Sequence, residues 1–145
     1  MNTTGLFLLV CVAERRYALD VAVVERVVTA AEVTPLPEAP QTVLGLIDIA
    51  GELMPVIDAR RCFSLPPRDM ELTDRLVVTR TSGKPLVLLV DQAEGVVELS
   101  EQAVTDMVSG FPGSTSAVAT TPGGIVLIQN IAAFASAAGH GERGM

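Results

Sequence analysis

Apolar residues occur along this chain in short runs that charged or turn-forming residues separate. The first run is Leu6–Val12, the charged segment Ala13–Arg16 follows it, and Tyr17–Leu19 resumes the apolar pattern. Short apolar runs bounded by turn residues are typical of β-strands. The pattern therefore predicts a hairpin with a charged tip near the start of the chain.

Residues 20–40 carry a different pattern. Asp20 is a residue type that caps helices, and four valines follow it at the spacing of one helix face, which predicts a short helix. These valines are Val21, Val24, Val27 and Val28. Three prolines between residues 35 and 40 then restrict the backbone to extended conformations and predict a rigid connector.

Residues 43–57 predict a second hairpin, whose tight turn is Ala50–Gly51. Pro55 lies in the returning strand and has no N–H to donate, so it predicts an edge or bulged position. Asp58–Phe63 predicts one helical turn. Residues 64–74 contain two adjacent prolines and several charged residues, and we expect them to form a mobile loop or a subdomain boundary.

The second half of the chain repeats this style of strands joined by turns. The predicted strands are Arg75–Thr81, Leu86–Asp91, Val96–Leu99 after a bulge at Gly95, Ala117–Thr120 and Ile125–Gln129. The other predicted elements are a helical turn starting at Ser100 and Glu101, the loop Phe111–Ser116, and a final helix that Asn130 caps and that runs through Ala138 to Gly139. About ten short strands at this spacing favour closed barrels or a sandwich.

Composition independently favours strands. The chain has 20 valines, 6 isoleucines and 12 threonines, and aromatic residues make up only 3% of it. Because β-branched side chains suit pleated sheets, we expect an all-β fold with short helices. The mean hydropathy is +0.45, but the longest apolar run, Leu6–Ala13, is shorter than the about 20 residues that a membrane-spanning helix needs. We expect a buried strand there and no direct membrane insertion.

Charge and cysteine content exclude several function classes. The formal net charge of −7 repels a phosphate backbone, and the scarcity of aromatic side chains excludes a base-stacking platform, so we expect no nucleic-acid partner. Cys11 and Cys62 lack the spacing of a metal site or a redox motif. We expect both cysteines to be small core residues in a reducing cytosol, and the alternative is a single structural disulfide between them.

The sequence contains no arrangement typical of an enzyme. It has no glycine-rich phosphate loop, no zinc-ligand spacing and no nucleophile elbow, and its single histidine, His140, lies in the glycine-rich tail. Asp48, Asp58 and Asp91 follow apolar runs, where carboxylates commonly accept hydrogen bonds from a turn or a helix start. We therefore predict no catalytic residue, metal or cofactor, and keep a small hydrolase built on Asp58 or Asp91 as the least favoured hypothesis.

Seven motifs, in the same order, resemble those of the CheW-like domain family and cover the chain from about Leu6 to Ala138. They are Phe7-x-x-Val10 with Tyr17-Ala18-Leu19, Val24-x-x-Val27, Thr34-Pro35-Leu36-Pro37-x-Ala39-Pro40, Val43-x-Gly45, Gly51-x-x-x-Pro55-Val56-Ile57-Asp58-x-Arg60, Leu89-Val90-Asp91-x-x-x-Gly95-Val96 and Gly124-Ile125-x-Leu127-x-x-Asn130-Ile131.

The resemblance implies a fold of two SH3-like five-stranded β-barrel subdomains packed around a shared apolar core. We expect one domain over residues 1–139, with interleaved subdomains, a loop near residues 64–74 between them, and a flexible tail at residues 140–145. The resemblance also implies a non-enzymatic adaptor in bacterial chemotaxis signal transduction. Such an adaptor couples methyl-accepting chemoreceptors to a CheA-type histidine kinase, by binding the receptor tip and the kinase regulatory domain.

The same resemblance implies a location and two binding sites. The location is the cytoplasm, at membrane-associated receptor arrays, and the chain shows no receiver or kinase segment, as in a stand-alone adaptor. The receptor-binding groove comprises Arg26, Val43, Gly45, Ala50 and Gly51, and the kinase-binding residues are Asp91, Glu94 and Gly95. For the three glycines in these two sets, backbone geometry alone is the alternative explanation.

Two positions depart from the family pattern. Relatives usually have Leu-Arg-Gly where this chain has Ile49-Ala50-Gly51, and Val-x-Glu-Val where it has Val24-Glu25-Arg26-Val27. Because those two charges face each other in relatives, a pair has been replaced, which costs less than losing one partner of a buried pair. We expect an exposed Arg26, with Glu25 partly replacing the acid. The alternative function is a divergent domain that no longer couples to receptors and binds another signalling partner.

Overall fold

Twelve strands make up most of the described structure, a computed structural model that covers residues 5–100, 104–106, 115–132 and 134. A 3₁₀ helix, Val21–Val23, and one turn of α-helix, α1 (Ala59–Cys62), interrupt them. The strands are β1 (Gly5–Val12), β2 (Arg15–Asp20), β3 (Val24–Thr29), β4 (Thr34–Pro35), β5 (Val43–Ile49), β6 (Glu52–Asp58), β7 (Arg75–Thr81), β8 (Lys84–Val90), β9 (Gln92–Leu99), β10 (Val104–Asp106), β11 (Thr115–Thr121) and β12 (Gly124–Gln129).

The strands form two six-stranded sheets that are interleaved in sequence. The first sheet has the order β10-β11-β12-β2-β1-β9, and the second has the order β3-β7-β8-β6-β5-β4. All strands of the second sheet therefore lie between β2 and β9 in the chain. Neighbouring strands are antiparallel except for the parallel pairs β12 with β2 and β6 with β8.

Three apolar clusters show where the core lies. One cluster contains first-sheet residues such as Phe7 and Ile128, and another contains second-sheet residues such as Met54 and Leu76. The third joins the two sheets. Two SH3-like barrels, each with its own interior, thus pack around a shared apolar seam, and the predicted fold class is confirmed. The seam contains, among others, Leu8, Val10, Val12, Tyr17 and Leu19 of the first sheet with Ile57, Val77, Leu86, Leu88 and Val90 of the second.

The helix predicted from the valine spacing after Asp20 is wrong. Asp20 does cap a turn, since its Oδ1 accepts a hydrogen bond from the Ala22 N–H at 2.9 Å, but that turn is only the 3₁₀ helix. The chain then continues as β3, which pairs with β7 from Val24 to Thr29 with a register shift between Val24 and Arg26. Valine has a higher strand than helix preference, and the ladder to β7 satisfies the backbone groups that a helix would have paired internally.

The strand count exceeds the prediction by one in each sheet. The strands that no sequence pattern predicted are β3, which was predicted as a helix, the two-residue β4 within the proline-rich connector, and the three-residue β10. Pro55 lies in β6, between β5 and β8, but the pairing of β6 with β8 begins only at Val56, so the proline leaves no ladder donor missing on that side.

Several predictions concern the segment after α1 and the end of the chain. Residues 64–74 join α1 to β7, and the strands on either side of this segment, β6 and β7, both belong to the second sheet. Asn130 accepts a hydrogen bond from the Ala132 N–H at 3.1 Å, as a helix cap does. The end of that helix, the turn at Glu101, most of the loop Phe111–Ser116, and the tail with His140 lie outside the described residues. β11 already begins at Thr115, inside the predicted loop.

Candidate interaction surfaces

The five residues of the predicted receptor groove all belong to the second sheet and its turns. Arg26 is exposed on the edge strand β3, as predicted, and no ion pair or hydrogen bond of the described residues involves it. Val43 and Gly45 lie on β5, and Ala50 and Gly51 form the exposed turn between β5 and β6. Ala50 and Gly51 have φ angles of 53° and 87°, the left-handed conformation of a tight hairpin turn.

The fold itself requires glycine at position 45, independently of any binding partner. A Cβ atom at this position would overlap the carbonyl oxygen of Thr34, because the backbone of the neighbouring strand β4 comes very close to β5 there. Only glycine permits this approach. Gly51 and Gly95 also have positive φ angles, 87° and 122°, but no atom lies within 4 Å of a Cβ built on either residue.

An ion-pair cluster that the sequence did not reveal lies at the end of the second barrel. The Arg80 guanidinium on β7 contacts Glu25 Oε2 on β3 at 2.9 Å and Glu52 Oε1 on β6 at 2.7 Å. It also donates to the Gly83 carbonyl at 3.1 Å. We call Arg80, Glu25 and Glu52 the Arg80 clamp. Bonds to Glu52 and Glu25 raise the pKa of Arg80 above its already high ordinary value.

The clamp links the two segments that carry the predicted receptor groove. Glu25 precedes Arg26, and Glu52 follows the Ala50–Gly51 turn, so Arg80 connects β3 with that turn. Glu25 was expected to replace the missing family acid in part, and its partner proves to be Arg80. The contacts of Arg80 with Glu25 and Glu52 span 55 and 28 residues of sequence, so no local spacing could have revealed them.

Asp91, predicted to bind the kinase, is engaged within the chain. Its Oδ2 accepts a hydrogen bond from the Ala13 N–H at 2.9 Å and contacts Arg60 Nη2 at 2.7 Å, while its Oδ1 contacts Arg68 Nη2 at 3.1 Å. The carboxylate thus connects the β1–β2 turn with α1 and the segment after α1. Its side chain is 23% exposed.

Glu94 and Gly95 lie on β9, the edge strand of the first sheet. Glu94 Oε1 contacts Arg16 Nε at 3.3 Å, and Arg16 also donates to the Thr121 hydroxyl at 3.1 Å. Gly95 pairs with Leu9 and Ala93 pairs with Val10, so Glu94 is the extra residue of a bulge in β9, next to the predicted position Gly95. The kinase-binding prediction therefore falls on a sheet other than the one carrying the receptor-binding prediction.

A buried carboxylate, Asp74, orders the segment before β7. Asp74 is 2% exposed, receives bonds from Arg68 Nη1 and Nη2 at 2.9 and 2.8 Å, and accepts the Glu71 N–H at 2.8 Å. Burial acts to raise the pKa of Asp74, but the bonds from Arg68 and the Glu71 N–H outweigh it and hold that pKa below its ordinary value.

The acidic residues considered for catalysis have the structural roles predicted for them. Asp48 Oδ1 accepts the Gly51 N–H at 2.9 Å in the turn, and Asp58 Oδ1 accepts the Arg60 N–H at 3.0 Å as the cap of α1. Among the described residues, no group of three or more His, Cys, Asp or Glu side chains is arranged to hold a metal ion.

The two cysteines are free thiols whose surroundings suppress ionisation. Burial, followed by the charge of Asp58, raises the pKa of Cys62 to about 12. Burial, then Glu94 and Asp91, raises the pKa of Cys11. Both residues are half-buried, and Cys62 packs against the apolar seam, so the prediction of small core residues fits Cys62 better than Cys11. Neither thiolate forms readily near neutral pH. In the part of the chain described, no helix combines the length and apolar character needed to cross a membrane.

Comparison with known proteins gives consistent matches. The chain is 24% identical over 120 residues to the chemotaxis protein CheW of Thermotoga maritima, covering 81% of this chain and 79% of that protein. It is 24% identical over 106 residues to the chemotaxis protein CheW of Rhizobium meliloti, covering 71% of this chain and 68% of that one.

A solved structure has the same fold. The scaffolding protein TtCheW from Thermoanaerobacter tengcongensis superposes with a TM-score of 0.80 at 24% identity, covering 88% of this chain and 90% of the other. The sequence model of the CheW-like domain matches residues 6–139. Because that match spans nearly the whole chain, this protein belongs to the CheW-like domain family of chemotaxis adaptors and scaffolds.

Proposed function

We propose that this protein is a non-enzymatic adaptor that couples chemoreceptors to a CheA-type histidine kinase in a chemosensory pathway. Its partners are then the tip of a methyl-accepting chemoreceptor and the regulatory domain of the kinase. It works in the cytoplasm, at membrane-associated receptor arrays. The family assignment supports this role in general, and the chain's own surfaces supply the specific support.

The observation that carries the proposal is the separation of the two predicted sites. Arg26, Val43 and the Ala50–Gly51 turn lie on the second sheet, whereas Glu94 and Gly95 lie on the edge strand of the first. An adaptor must hold two partners at once, which requires surfaces that do not overlap. Rigid packing of both barrels against one seam keeps such surfaces at a fixed distance and orientation.

A second candidate function is favoured by the two departures from the family pattern. Ala50 cannot form an ion pair, and Arg26 has the opposite charge to the family's glutamate. A domain with this surface can have lost receptor coupling and bind another signalling partner instead. Under that function the kinase or an equivalent partner still binds through the first barrel, but receptor fragments do not bind.

The proposal is tested by measuring binding of the purified chain to two partners from the same organism. These are the isolated regulatory domain of the CheA-type kinase and a soluble cytoplasmic fragment of a chemoreceptor. We expect both to bind, and to bind together in one ternary complex detected by size-exclusion chromatography. Failure to bind any CheA-type regulatory domain rules out the adaptor. Binding of the kinase domain without any receptor fragment supports the second candidate.

A charge reversal maps the kinase surface. Glu94→Lys removes the ion pair to Arg16 and places a cation on β9, so we expect it to weaken kinase-domain binding about tenfold and leave receptor binding unchanged. Glu38→Lys makes the same charge change at an exposed residue of the connector, which carries none of the predicted contacts. Equal losses in both variants would show that the effect is one of net charge rather than of this surface.

A further inference from the structure

We propose that this chain exchanges its first hairpin, β1–β2, with a second copy of itself and so forms a dimer. The partner is a copy of this chain, and the interface is the one by which β1 pairs with β9 and β2 pairs with β12 inside one molecule. The inference goes beyond the proposed function and does not depend on it, because neither a receptor nor a kinase takes part.

The molecule contains the same arrangement of six strands twice. In the two sheets, β1 to β6 occupy positions that correspond to those of β7 to β12. The edge strands β3 and β9 even have a bulge at a corresponding residue, Glu25 in one and Glu94 in the other. An arginine contacts each of these glutamates, Arg80 in the second barrel and Arg16 in the first. The chain thus consists of two units, β1–β6 and β7–β12, built on one plan.

The two units have already exchanged their hairpins within the chain. The hairpin β1–β2 of the first unit completes the sheet of β9–β12, and the hairpin β7–β8 of the second unit completes the sheet of β3–β6. The described strand pairings join each hairpin to the other unit. The interface is therefore one that forms between separate units, and the same contacts form when the hairpin comes from a second chain.

The connections that cross between the sheets differ in how firmly they are held. Between β8 and β9 lies Asp91, whose carboxylate accepts a backbone N–H and contacts two arginines. At the corresponding place between β2 and β3 lies Ala22, which is exposed and has only a methyl side chain. Ala22 and Asp91 are separated by the same number of residues as Glu25 and Glu94.

The connection from β2 to β3 is therefore the hinge of the exchange. None of its residues Val21–Val23 is buried. Its turn is closed by the bond from the Ala22 N–H to Asp20 Oδ1 at 2.9 Å and by the bond from the Val24 N–H to the Val21 carbonyl. Opening this one connection releases the hairpin β1–β2, whereas releasing β7–β8 requires the connections on both of its sides to open.

Exchange preserves the contacts of the hairpin, so the monomer–dimer equilibrium depends on the effective concentration of the hairpin at its own barrel. For a short connection this concentration is on the order of millimolar. We therefore expect a monomer at about 10 µM and a measurable dimer fraction after refolding at about 1 mM. The dimer carries two copies of each predicted binding surface, so it links two partner assemblies.

A disulfide between two different chains tests the exchange directly. With Cys11→Ala and Cys62→Ala in both chains, one chain carries Leu6→Cys and the other Glu98→Cys, two positions that face each other in the β1–β9 pair. After joint refolding at about 1 mM and oxidation, we expect a covalent heterodimer on a non-reducing gel. Leu53→Cys, at an exposed position of the second sheet, replaces Glu98→Cys in the control and should give no covalent dimer.

The same two cysteines placed in one chain show that the thiols meet. Leu6→Cys with Glu98→Cys in a single chain should form an intramolecular disulfide at about 10 µM, where the monomer predominates. If this disulfide forms but the heterodimer is absent after refolding at about 1 mM, the inference is wrong.

Two hinge variants test the same inference without cysteines. Deleting Ala22 and Val23 removes up to about 7 Å of reach, so the hairpin should no longer fold back onto its own molecule, and we expect a dimer even at about 10 µM. Asp20→Ala removes a capping bond of the turn that opens, and two turns open per dimer, so the association constant should rise about tenfold.

Asp48→Ala is the matched control for Asp20→Ala. It removes a bond of the same kind, to the Gly51 N–H at 2.9 Å, in a turn that stays closed in the dimer, so we expect no change in the association constant. Equal effects of the two variants would show general destabilisation instead of hinge opening. Light scattering after size-exclusion chromatography measures the mass, and circular dichroism verifies the fold. A folded, monomeric chain without Ala22 and Val23 would overturn the inference, and if that chain fails to fold, the heterodimer experiment decides.

Discussion

Asp74 shows how a single carboxylate orders a long connecting segment. Its two oxygens face both terminal nitrogens of Arg68 and the Glu71 N–H, while its own N–H donates to the Glu71 carbonyl at 3.0 Å. The Asp74 carbonyl in turn accepts the Ala30 N–H at 3.2 Å, at the end of β3. The segment is therefore held from within at one buried residue, although prolines and charges predicted a mobile loop.

We predict that Asp74→Asn destabilises the fold in a pH-dependent manner. The native pKa of Asp74 lies below the unfolded value of about 3.9, so its stabilisation is fully present above that pH and is lost as the pH falls through the native pKa. Urea unfolding at pH 7 should show a free energy of unfolding lower by about 2–3 kcal/mol, because the partly buried Arg68 loses its two shortest carboxylate bonds and keeps only the longer contacts to Asp91 and Glu71. The loss should shrink toward pH 3.

The exposed Asp69 of the same segment provides the control for Asp74. Its side chain has no partner among the described residues, so Asp69→Asn should change stability by less than about 0.5 kcal/mol at every pH. A loss for Asp74→Asn that stays constant from pH 7 to pH 3 would mean that side-chain shape, rather than charge, stabilises the segment.

Residue roles could be predicted from the sequence where the partner is local. Asp48 and Asp58 accept backbone hydrogen bonds two or three residues away, so position after an apolar run was enough to identify them. The Arg80 clamp could not be found in this way. Its partners are brought together by the register of β3 and β6 with neighbouring strands, and register follows from the whole sheet.

At the scale of elements, the strands were predictable and the segment after Asp20 was not. Alternation and turn residues located both strands of each predicted hairpin, and the turns at Ala50–Gly51 and Ser82–Gly83 have the positive φ angles of tight hairpin turns. The valine spacing from Val21 to Val28 is as compatible with one face of a helix as with a strand. Pairing with β7 decided the outcome, and that contact with a strand 50 residues away leaves no local signal.

The close approach of β4 to β5 makes Gly45 the residue on which this pair of strands depends. We predict that Gly45→Ala lowers the free energy of unfolding by more than about 2 kcal/mol, because the new methyl group must displace the Thr34 carbonyl. Hydrogen exchange at the amides of Thr34 and Leu46, which face each other in this pair, should accelerate in the same variant.

Gly83→Ala is the matched control for Gly45→Ala. Gly83 has a φ of +79°, but no atom lies within 4 Å of the added Cβ, so only backbone strain of about 1 kcal/mol is expected. Similar losses in the two variants would show that backbone conformation, and not the close approach of β4, requires glycine at position 45.

At the scale of the whole molecule, the chain crosses from the second sheet to the first at Asp91, between β8 and β9. The resemblance to a family predicted two barrels, whereas strand patterns alone left barrel and sandwich open, because local alternation does not specify which strands share a sheet. The seam joins the two barrels with apolar contacts. It includes the stacked rings of Tyr17 and Phe63, whose centroids are 4.0 Å apart.

We predict that Asp91 is the polar residue on which the junction of the two barrels depends. Its N–H donates to the Cys11 carbonyl at 2.9 Å, and its carboxylate holds Ala13, Arg60 and Arg68. Asp91→Asn keeps the size of the side chain but leaves the partly buried Arg60 guanidinium without its ion-pair partner and removes one of the carboxylates around Arg68, which keeps Asp74. Urea unfolding should therefore show a free energy of unfolding that is lower by on the order of 2–4 kcal/mol.

The control for Asp91→Asn is Glu94→Gln, which removes the exposed ion pair to Arg16. We expect this control variant to lower the free energy of unfolding by less than about 1 kcal/mol. If Asp91→Asn costs no more than Glu94→Gln, the apolar seam alone joins the barrels, and Asp91 remains available for a partner. If the larger loss is observed, Asp91 stabilises the junction of the barrels, and we expect any effect of this residue on kinase binding to be indirect, through the β1–β2 turn and α1 that its carboxylate holds. Measuring kinase-domain affinity of both variants under native conditions would separate that indirect role from direct contact.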